Sequence, residues 1–342
     1  MKKLLALLML LVLGFSFAAC GGEATPEPAP APSGGDEPAP EPEPERQLLI
    51  GFNTNGLTNE TMSFMVDVFY KYGEEHNIKI LATEDKDDTA TTINNLENFV
   101  AAGVDGVIIR VSDPVGVTPA IQDLEDRGIP VIAYDEYIEP AEYSFLCSNY
   151  DLGDAIGKMA ALWANDHVDD DTIVLGLLTV EINESGTNRS NGIADGFTEN
   201  CPRGEVFRQP ITGNPVDVFS NMLVSRPDIK LCSSLADAAV TGIAESWYAD
   251  LVGAGEDISE YGVFSTDATD IALNLINNAK KGEGIYRGTI DLGLKDRVPL
   301  AMIECCHAAI LGKKAEGYEK QNFYEVKYVT EENIEEYSQF LD

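Results

Sequence analysis

Residues 102–109 read Ala102-Gly103-Val104-Asp105-Gly106-Val107-Ile108-Ile109, and residues 128–135 read Gly128-Ile129-Pro130-Val131-Ile132-Ala133-Tyr134-Asp135. Both place a short, nearly continuous apolar run just after a glycine, the pattern of a strand buried on both faces. The stretch between them, 115–126, reads as a helix that closes at Arg127-Gly128. Strand, helix and strand in that order make a parallel unit, and the same rhythm extends outward. Upstream lie a strand at 48–53, a helix at 60–75 with Phe64, Val68 and Tyr72 at helical spacing, and a strand at 78–82. A helix at 89–102 then ends at Gly103, a plausible C-cap.

The rhythm restarts after Asn149. Helices are expected at 150–164, around 192–197, and at 215–225, 236–253 and 268–281. They alternate with strands at 173–178, 206–209, 231–234, 263–265 and 286–291, and an apolar helical stretch follows at 300–311. The fold class is therefore α/β, with two similar lobes built on parallel sheets. Ligands of such sheets bind beyond the carboxyl ends of the strands, so two facing lobes would enclose a cleft.

The chain has 342 residues, with 58 acidic and 23 basic side chains and a formal net charge of −35. Phosphate backbones need a positive surface, so nucleic acid is excluded as a partner. A hydrophobic content of 44% supports a packed core rather than general disorder. Three histidines, His76, His167 and His307, leave little for metal or acid–base chemistry. No Gly-x-Ser-x-Gly elbow, phosphate loop or His-Glu-x-x-His helix occurs. An enzyme is not expected, nor is a cofactor or a metal. Asp85, Asp87 and Asp88 lack the glycine and distal glutamate of a calcium loop and read as a solvated charged turn.

Lys2 and Lys3 precede an apolar run at 4–17, too short to span a membrane and fitting a signal peptide over residues 1–19. Phe17-Ala18-Ala19-Cys20-Gly21 resembles the bacterial lipobox, with Phe17 where that motif usually has Leu. The resemblance implies lipidation at Cys20 and an extracytoplasmic protein anchored to the cell membrane. Residues 21–46 hold eight prolines, seven acids and one base, the composition of an extended polyproline II tether. The remaining cysteines, Cys147, Cys201, Cys232, Cys305 and Cys306, are odd in number, so at least one thiol stays free and pairing is open. Cys305-Cys306-His307 reads as buried thiols in an apolar helix rather than as a metal site.

The body resembles the ribose-type periplasmic binding proteins, the sugar-binding lipoprotein components of ABC importers. The resemblance rests on the two stretches quoted first, on Ile50-Gly51-Phe52-Asn53-Thr54-Asn55, on Ser148-Asn149-Tyr150-Asp151-Leu152-Gly153, and on Arg189-Ser190-Asn191-Gly192. It covers roughly residues 47–330. It implies two Rossmann-like lobes joined by a multi-strand hinge, the N-lobe being 47–149 plus 292–322 and the C-lobe 150–291 plus 323–342. Regulators of the lac-repressor type share this fold but carry a DNA-binding helix-turn-helix where this chain has a signal and a tether. The implied protein is a monomer that captures a monosaccharide or related polyol and delivers it to a permease. A sensory role, feeding a chemoreceptor or sensor kinase, is the alternative.

Polyols need carboxylates, amides and guanidinium groups in fixed geometry. The polar residues at the expected strand ends are Asn53, Asn55, Asn59, Glu60, Arg110, Asp135 and Glu136 in the first lobe. Asn183, Arg189, Asn214, Asp237, Asp267 and Asp291 occupy matching places in the second. The resemblance singles out Asp135, Arg189, Asp267 and Asp291 as ligand contacts. It also exposes two departures: Asn59 and Glu60 stand where relatives have an aromatic pair, and Glu136 stands where they have arginine. Stacking would then come from Tyr134, Tyr137 or Trp247. Carboxylates outnumber Arg110 and Arg189, which favours a neutral polyol or a cationic ligand such as an amino sugar over an acidic one.

Overall fold

Five strands alternate with helices in the first half of the chain: β1 (Leu48–Thr54), α1 (Glu60–His76), β2 (Ile78–Glu84), α2 (Thr89–Ala102), β3 (Gly106–Ile109), α3 (Pro114–Asp126), β4 (Val131–Asp135) and β5 (Tyr143–Leu146). The computed structural model describes residues 46–341 apart from Asn59, and the side chain of Glu60 is also outside the description. The expected signal, lipidated Cys20 and nearly all of the tether fall outside the described residues. The second half continues with α4 (Asn149–His167), β6 (Ile173–Thr179), α5 (Glu184–Asn200), β7 (Gly204–Pro210), α6 (Pro215–Ser225), β8 (Ile229–Ser233), α7 (Asp237–Ala254), β9 (Gly262–Phe264), α8 (Asp270–Lys280) and β10 (Tyr286–Asp291). The chain ends with α9 (Arg297–Ile310), β11 (Gln321–Phe323), β12 (Lys327–Thr330) and a 3-10 segment at Ile334–Phe340.

Two six-stranded sheets result, with orders β11-β5-β4-β3-β1-β2 and β12-β10-β9-β8-β6-β7. Every pairing is parallel except that of β10 with β12. The first five strands of each half take the same relative order, and each sheet gains its last strand from the C-terminal stretch. The chain crosses between sheets after β5, after β10 and after β11.

Alternation along the strands explains the layers. Ile50, Phe52, Ile108, Ile132 and Tyr134 pack with Met65 and Phe69 of α1 and Met302 and Ile303 of α9. Val107, Ile109, Val131 and Ala133 point the other way, against Leu96, Phe99, Ile121 and Leu124 of α2 and α3. Each fully buried side chain of this size contributes about 1.5–3 kcal/mol by leaving water. The second sheet is covered by α6, α7 and α8 on one face and by α4 and α5 on the other.

Helices α4 and α5 meet through glycine. A Cβ on Gly153 or Gly157 would lie 2.1 Å from the carbonyl oxygen of Arg189 or Ile193, and one on Gly192 2.1 Å from that of Tyr150. Backbone therefore rests on backbone, a closeness only glycine permits. This corrects the expected helix at 192–197. It starts at Glu184, because its first two turns, Glu-Ser-Gly-Thr-Asn-Arg-Ser, bury small residues instead of an apolar stripe. The short strands β5, β11 and β12 were not expected either; the last two contain only three and four residues.

All five described cysteines are free thiols. Cys305 and Cys306 are fully buried on the inner face of α9, while His307 meets the Tyr72 hydroxyl at 3.1 Å. The turn after β2 is less solvated than expected. Asp85 is buried, accepting from Asn53 and Thr92, while Asp88 caps α2.

Candidate functional site

Asp135 is the last residue of β4 and Asp267 lies three residues beyond β9, the fourth strand of each lobe. Both hold a positive φ, 68° and 115°, in a region that side-chain-bearing residues rarely occupy. Such strain persists where surrounding structure enforces it, often at ligand sites. The Asp135 carboxylate accepts from the Tyr324 hydroxyl at 2.9 Å and from Arg110 Nε at 3.2 Å. Arg110 Nη1 also donates to Asp87 at 2.9 Å. Burial works against the Arg110 charge, but Asp135 and Asp87 outweigh it and raise its pKa. The two N–H groups on Nη2 have no partner among the described residues.

In the other lobe the closeness of α4 and α5 sets Arg189 beside Asn149. Arg189 Nε and Nη2 both donate to Asn149 Oδ1, at 3.0 and 2.6 Å, and Nη1 to the Leu235 carbonyl at 3.0 Å. Asn149, the first residue of α4, thus positions the guanidinium at the crossing between lobes. The Asp267 carboxylate takes a backbone hydrogen bond from Asp237. Burial first, then the neighbouring charge of Asp237, pushes it up to about 8 against the pull of Arg189. Burial raises the pKa of Cys147 at the first crossing, with Asp135 and Asp267 adding to the rise and Arg189 opposing it.

Other strand-end residues have different duties. Asn53 is fully buried; its amide donates to Asp85 and accepts from Asn95 and Thr83. Asp237 is likewise fully buried and accepts from Tyr286, Ser265, Thr289 and Thr269. These two are corrected from ligand contacts to internal braces. Asn183 and Asn214 cap α5 and α6. Asp291 joins the crossings, accepting from Gly293 N, Arg297 and Tyr337. Asn55 interacts with Asp87 beside Arg110. Glu136 is half-buried, and burial together with Asp135 raises its pKa. Asn59 and the Glu60 side chain are not described.

Tyr134 and Trp247 cannot stack on a ligand, being 1% and 5% exposed within the two cores. Tyr137 is exposed at 40%. Three participants carry no strand-end signal in the sequence. Tyr324 directly follows β11, a three-residue strand with no signal of its own in the sequence, Glu184 opens α5, and Lys295 follows β10 by four residues. Lys295 pairs with Asp270 and sits 4.7 Å over the Phe64 ring of the first lobe and 4.8 Å over that of Phe340. A depression of about 530 Å³, lined by Met159, Trp163, Arg287 and Tyr328, lies between α4 and β12 and includes none of the strand-end candidates.

Two parallel-sheet lobes, three crossings and a pair of cleft carboxylates are the architecture of binding proteins, and residues 50–292 match the periplasmic binding protein domain. The chain belongs to the periplasmic binding protein family. The ribose import binding protein RbsB of Bacillus subtilis is 22% identical over 238 residues, covering 69% of this chain and 74% of that protein. A putative rhizopine-binding protein of Rhizobium meliloti is 22% identical over 260 residues, or 73% and 79% of the two chains. Among solved structures, an ABC transporter solute-binding protein of Actinobacillus succinogenes with bound D-allose superposes with a TM-score of 0.69 at 20% identity, covering 85% of this chain and 100% of that one. One from Bacillus halodurans with bound myo-inositol gives 0.69 at 19%, covering 86% and 98%. These structural likenesses show the two-lobed type I fold. Periplasmic binding proteins of this kind hold solutes outside the cytoplasm and do not transform them.

Proposed function

We propose that this chain captures a small polyhydroxylated molecule, the size of a monosaccharide or cyclitol, and hands it to an ABC permease while held to the membrane through lipid on Cys20. The observation that carries this reading is the matched pair Asp135 and Asp267, accompanied by Arg110 and Arg189 with N–H groups to spare. Hydroxyls can donate to the carboxylates and accept from the guanidinium groups at once. Ribose, D-allose and myo-inositol, named for the relatives above, fit that class. The ligand acts by differential affinity: it bridges both lobes only when they approach, so it favours the closed arrangement.

Sheet membership supports lobes of 47–149 plus 292–322 and of 150–291 plus 323–342, with the last boundary one residue later because Phe323 pairs with Leu146. The test is a panel of sugars and cyclitols followed by calorimetry and small-angle scattering. A binder should lower the radius of gyration and raise Tm. A panel that leaves both unchanged overturns the reading. The anchor is tested separately: Cys20→Ser should move the protein from the membrane fraction to the soluble one.

A further inference from the structure

We propose that Asp237, a fully buried residue, is the positioning residue that aims Asp267 into the cleft. This rests on the polyol reading above, in which Asp267 is a ligand contact. Residues 265–269 join β9 to α8. Within them Ser265 and Thr266 are fully buried and Ala268 is nearly so, while Asp267 stays partly exposed between them. The backbone that brings it out is unusual, because Asp267 and Ala268 hold positive φ in succession, 115° and 50°. Residues with side chains avoid that region, so the loop keeps this shape only where its surroundings enforce it.

The enforcing contacts converge on Asp237, the first residue of α7. Its Oδ2 accepts from Thr269 N at 2.9 Å and from the Thr269 hydroxyl at 3.1 Å. Its Oδ1 accepts from the hydroxyls of Ser265 at 2.9 Å, Thr289 at 2.8 Å and Tyr286 at 2.5 Å. Two of those hydroxyls in turn accept from the loop. Ser265 Oγ takes Thr266 N at 2.6 Å, and Thr289 Oγ1 takes Ala268 N at 3.3 Å. The amides of Thr266, Ala268 and Thr269 are therefore held by the Asp237 carboxylate, either directly or through one hydroxyl. The Asp237 backbone N–H completes the grip, donating to the Thr266 carbonyl at 2.9 Å and to the Asp267 carboxylate.

The two lobes thus hold their cleft carboxylates differently. Asp135 is braced at its side chain by Tyr324 and Arg110, whereas Asp267 is set through its backbone by a residue of the next helix. A carboxylate suits that task because it is acceptor-only, and its side-chain partners here are all N–H or O–H donors. Without it the hydroxyls of Ser265 and Thr289 lose their common anchor, and the strained backbone between them loses its hold.

The experiment is a double-mutant cycle on the full chain, read by calorimetry with D-ribose, D-allose and myo-inositol and by hydrogen exchange without ligand. Asp237→Ala and the isosteric Thr289→Val are each made alone and together with Asp267→Asn. For the tightest of the three ligands, Asp237→Ala should weaken binding about 30-fold and Thr289→Val about fivefold. With Asp267→Asn already in place, each should cost less than about a further twofold, because a residue acting through Asp267 then has nothing left to aim. Thermal melts should show the same loss of Tm in both backgrounds, which separates aim from stability. In Asp237→Ala the amides of Thr266 and Ala268, which do not touch Asp237, should speed up about tenfold more than those of β8. Should Asp237→Ala fail to fold, the cycle with Thr289→Val decides by the same criterion. An affinity loss just as large in the Asp267→Asn background overturns the positioning role and leaves the polyol reading intact. If none of the three ligands binds, the polyol reading falls and exchange decides alone: Thr266 and Ala268 amides that speed up no more than those of β8 overturn the positioning role too.

Discussion

Asp267 combines three unfavourable conditions: a φ of 115°, partial burial, and a second carboxylate, Asp237, behind it. A carboxyl whose folded pKa lies above its unfolded value holds its proton more tightly when folded. Folding is therefore favoured most at low pH, and that advantage is lost as pH rises from about 4 through 8. Asp267→Asn removes the titration and tolerates the positive φ. It should raise Tm by at least about 2 °C at pH 8, a gap that closes toward pH 4 in thermal melts. Ligand affinity should fall in the same variant. Tyr324→Phe is the complementary case, deleting one donor to Asp135 while keeping the ring. Loss of a hydrogen bond to a charged group is worth about 1.5–3 kcal/mol, so calorimetry should show affinity falling about tenfold or more if Tyr324 orients Asp135. An unchanged Kd would make the hydroxyl a bystander. Strand-end position made Asp135, Arg110 and Asp267 legible in the sequence, since apolar runs end visibly. It did not separate them from Asn53 and Asp237, because which side of a pleat or helix turn faces inward depends on what packs behind it. Glu184 and Tyr324 were not legible at all; the first opens a helix without an apolar stripe, and the second reaches the site from the last crossing.

Helices α4 and α5 show how an element can be held by what it lacks. Gly157→Ala places a methyl 2.1 Å from the Ile193 carbonyl oxygen, and backbone on both sides leaves no side chain to swing away. Urea unfolding should show a loss of about 2–3 kcal/mol or more. Gly253→Ala, inside α7 with nothing within 4 Å of the new methyl, should instead gain about 0.5–1 kcal/mol. Opposite signs for one chemical change would place the effect in the α4–α5 contact rather than in helix propensity. The α4–α5 spacing also carries the site, because it sets Arg189 against Asn149. Helix α2 at 89–102, α6 at 215–225 and strand β10 at 286–291 match the bounds expected from sequence, since strong periodicity and end signals agree there. Helix α5 is longer than its periodicity predicts for the opposite reason: the buried face of its first turns is glycine and serine, which carry no hydrophobic signal. The strands β11 and β12 were missed because strands of three or four residues are defined by their neighbours rather than by their own pattern.

At the scale of the whole molecule, the three crossings tie the halves into a machine of paired lobes. Arg297 makes the clearest knot, linking Asp291 at the end of β10 with Glu325 before β12. The first sheet is also completed late. Its edge strand β11 and its covering helix α9, with Met302, Ile303, Cys305 and Cys306, come from sequence that follows the entire second lobe. A fragment ending at residue 291 should therefore protect amides of β6, β8 and β9 from hydrogen exchange while those of β1, β3 and β4 exchange freely. Equal protection in both sheets would contradict this. The interleaving also sets an order on the life of the chain. A nascent polypeptide can finish most of its second half before its first half has the parts to close its core. The N-terminal segment must wait, unfinished, until almost the last residues arrive. The part of the chain that is made first is thus the part least able to fold early.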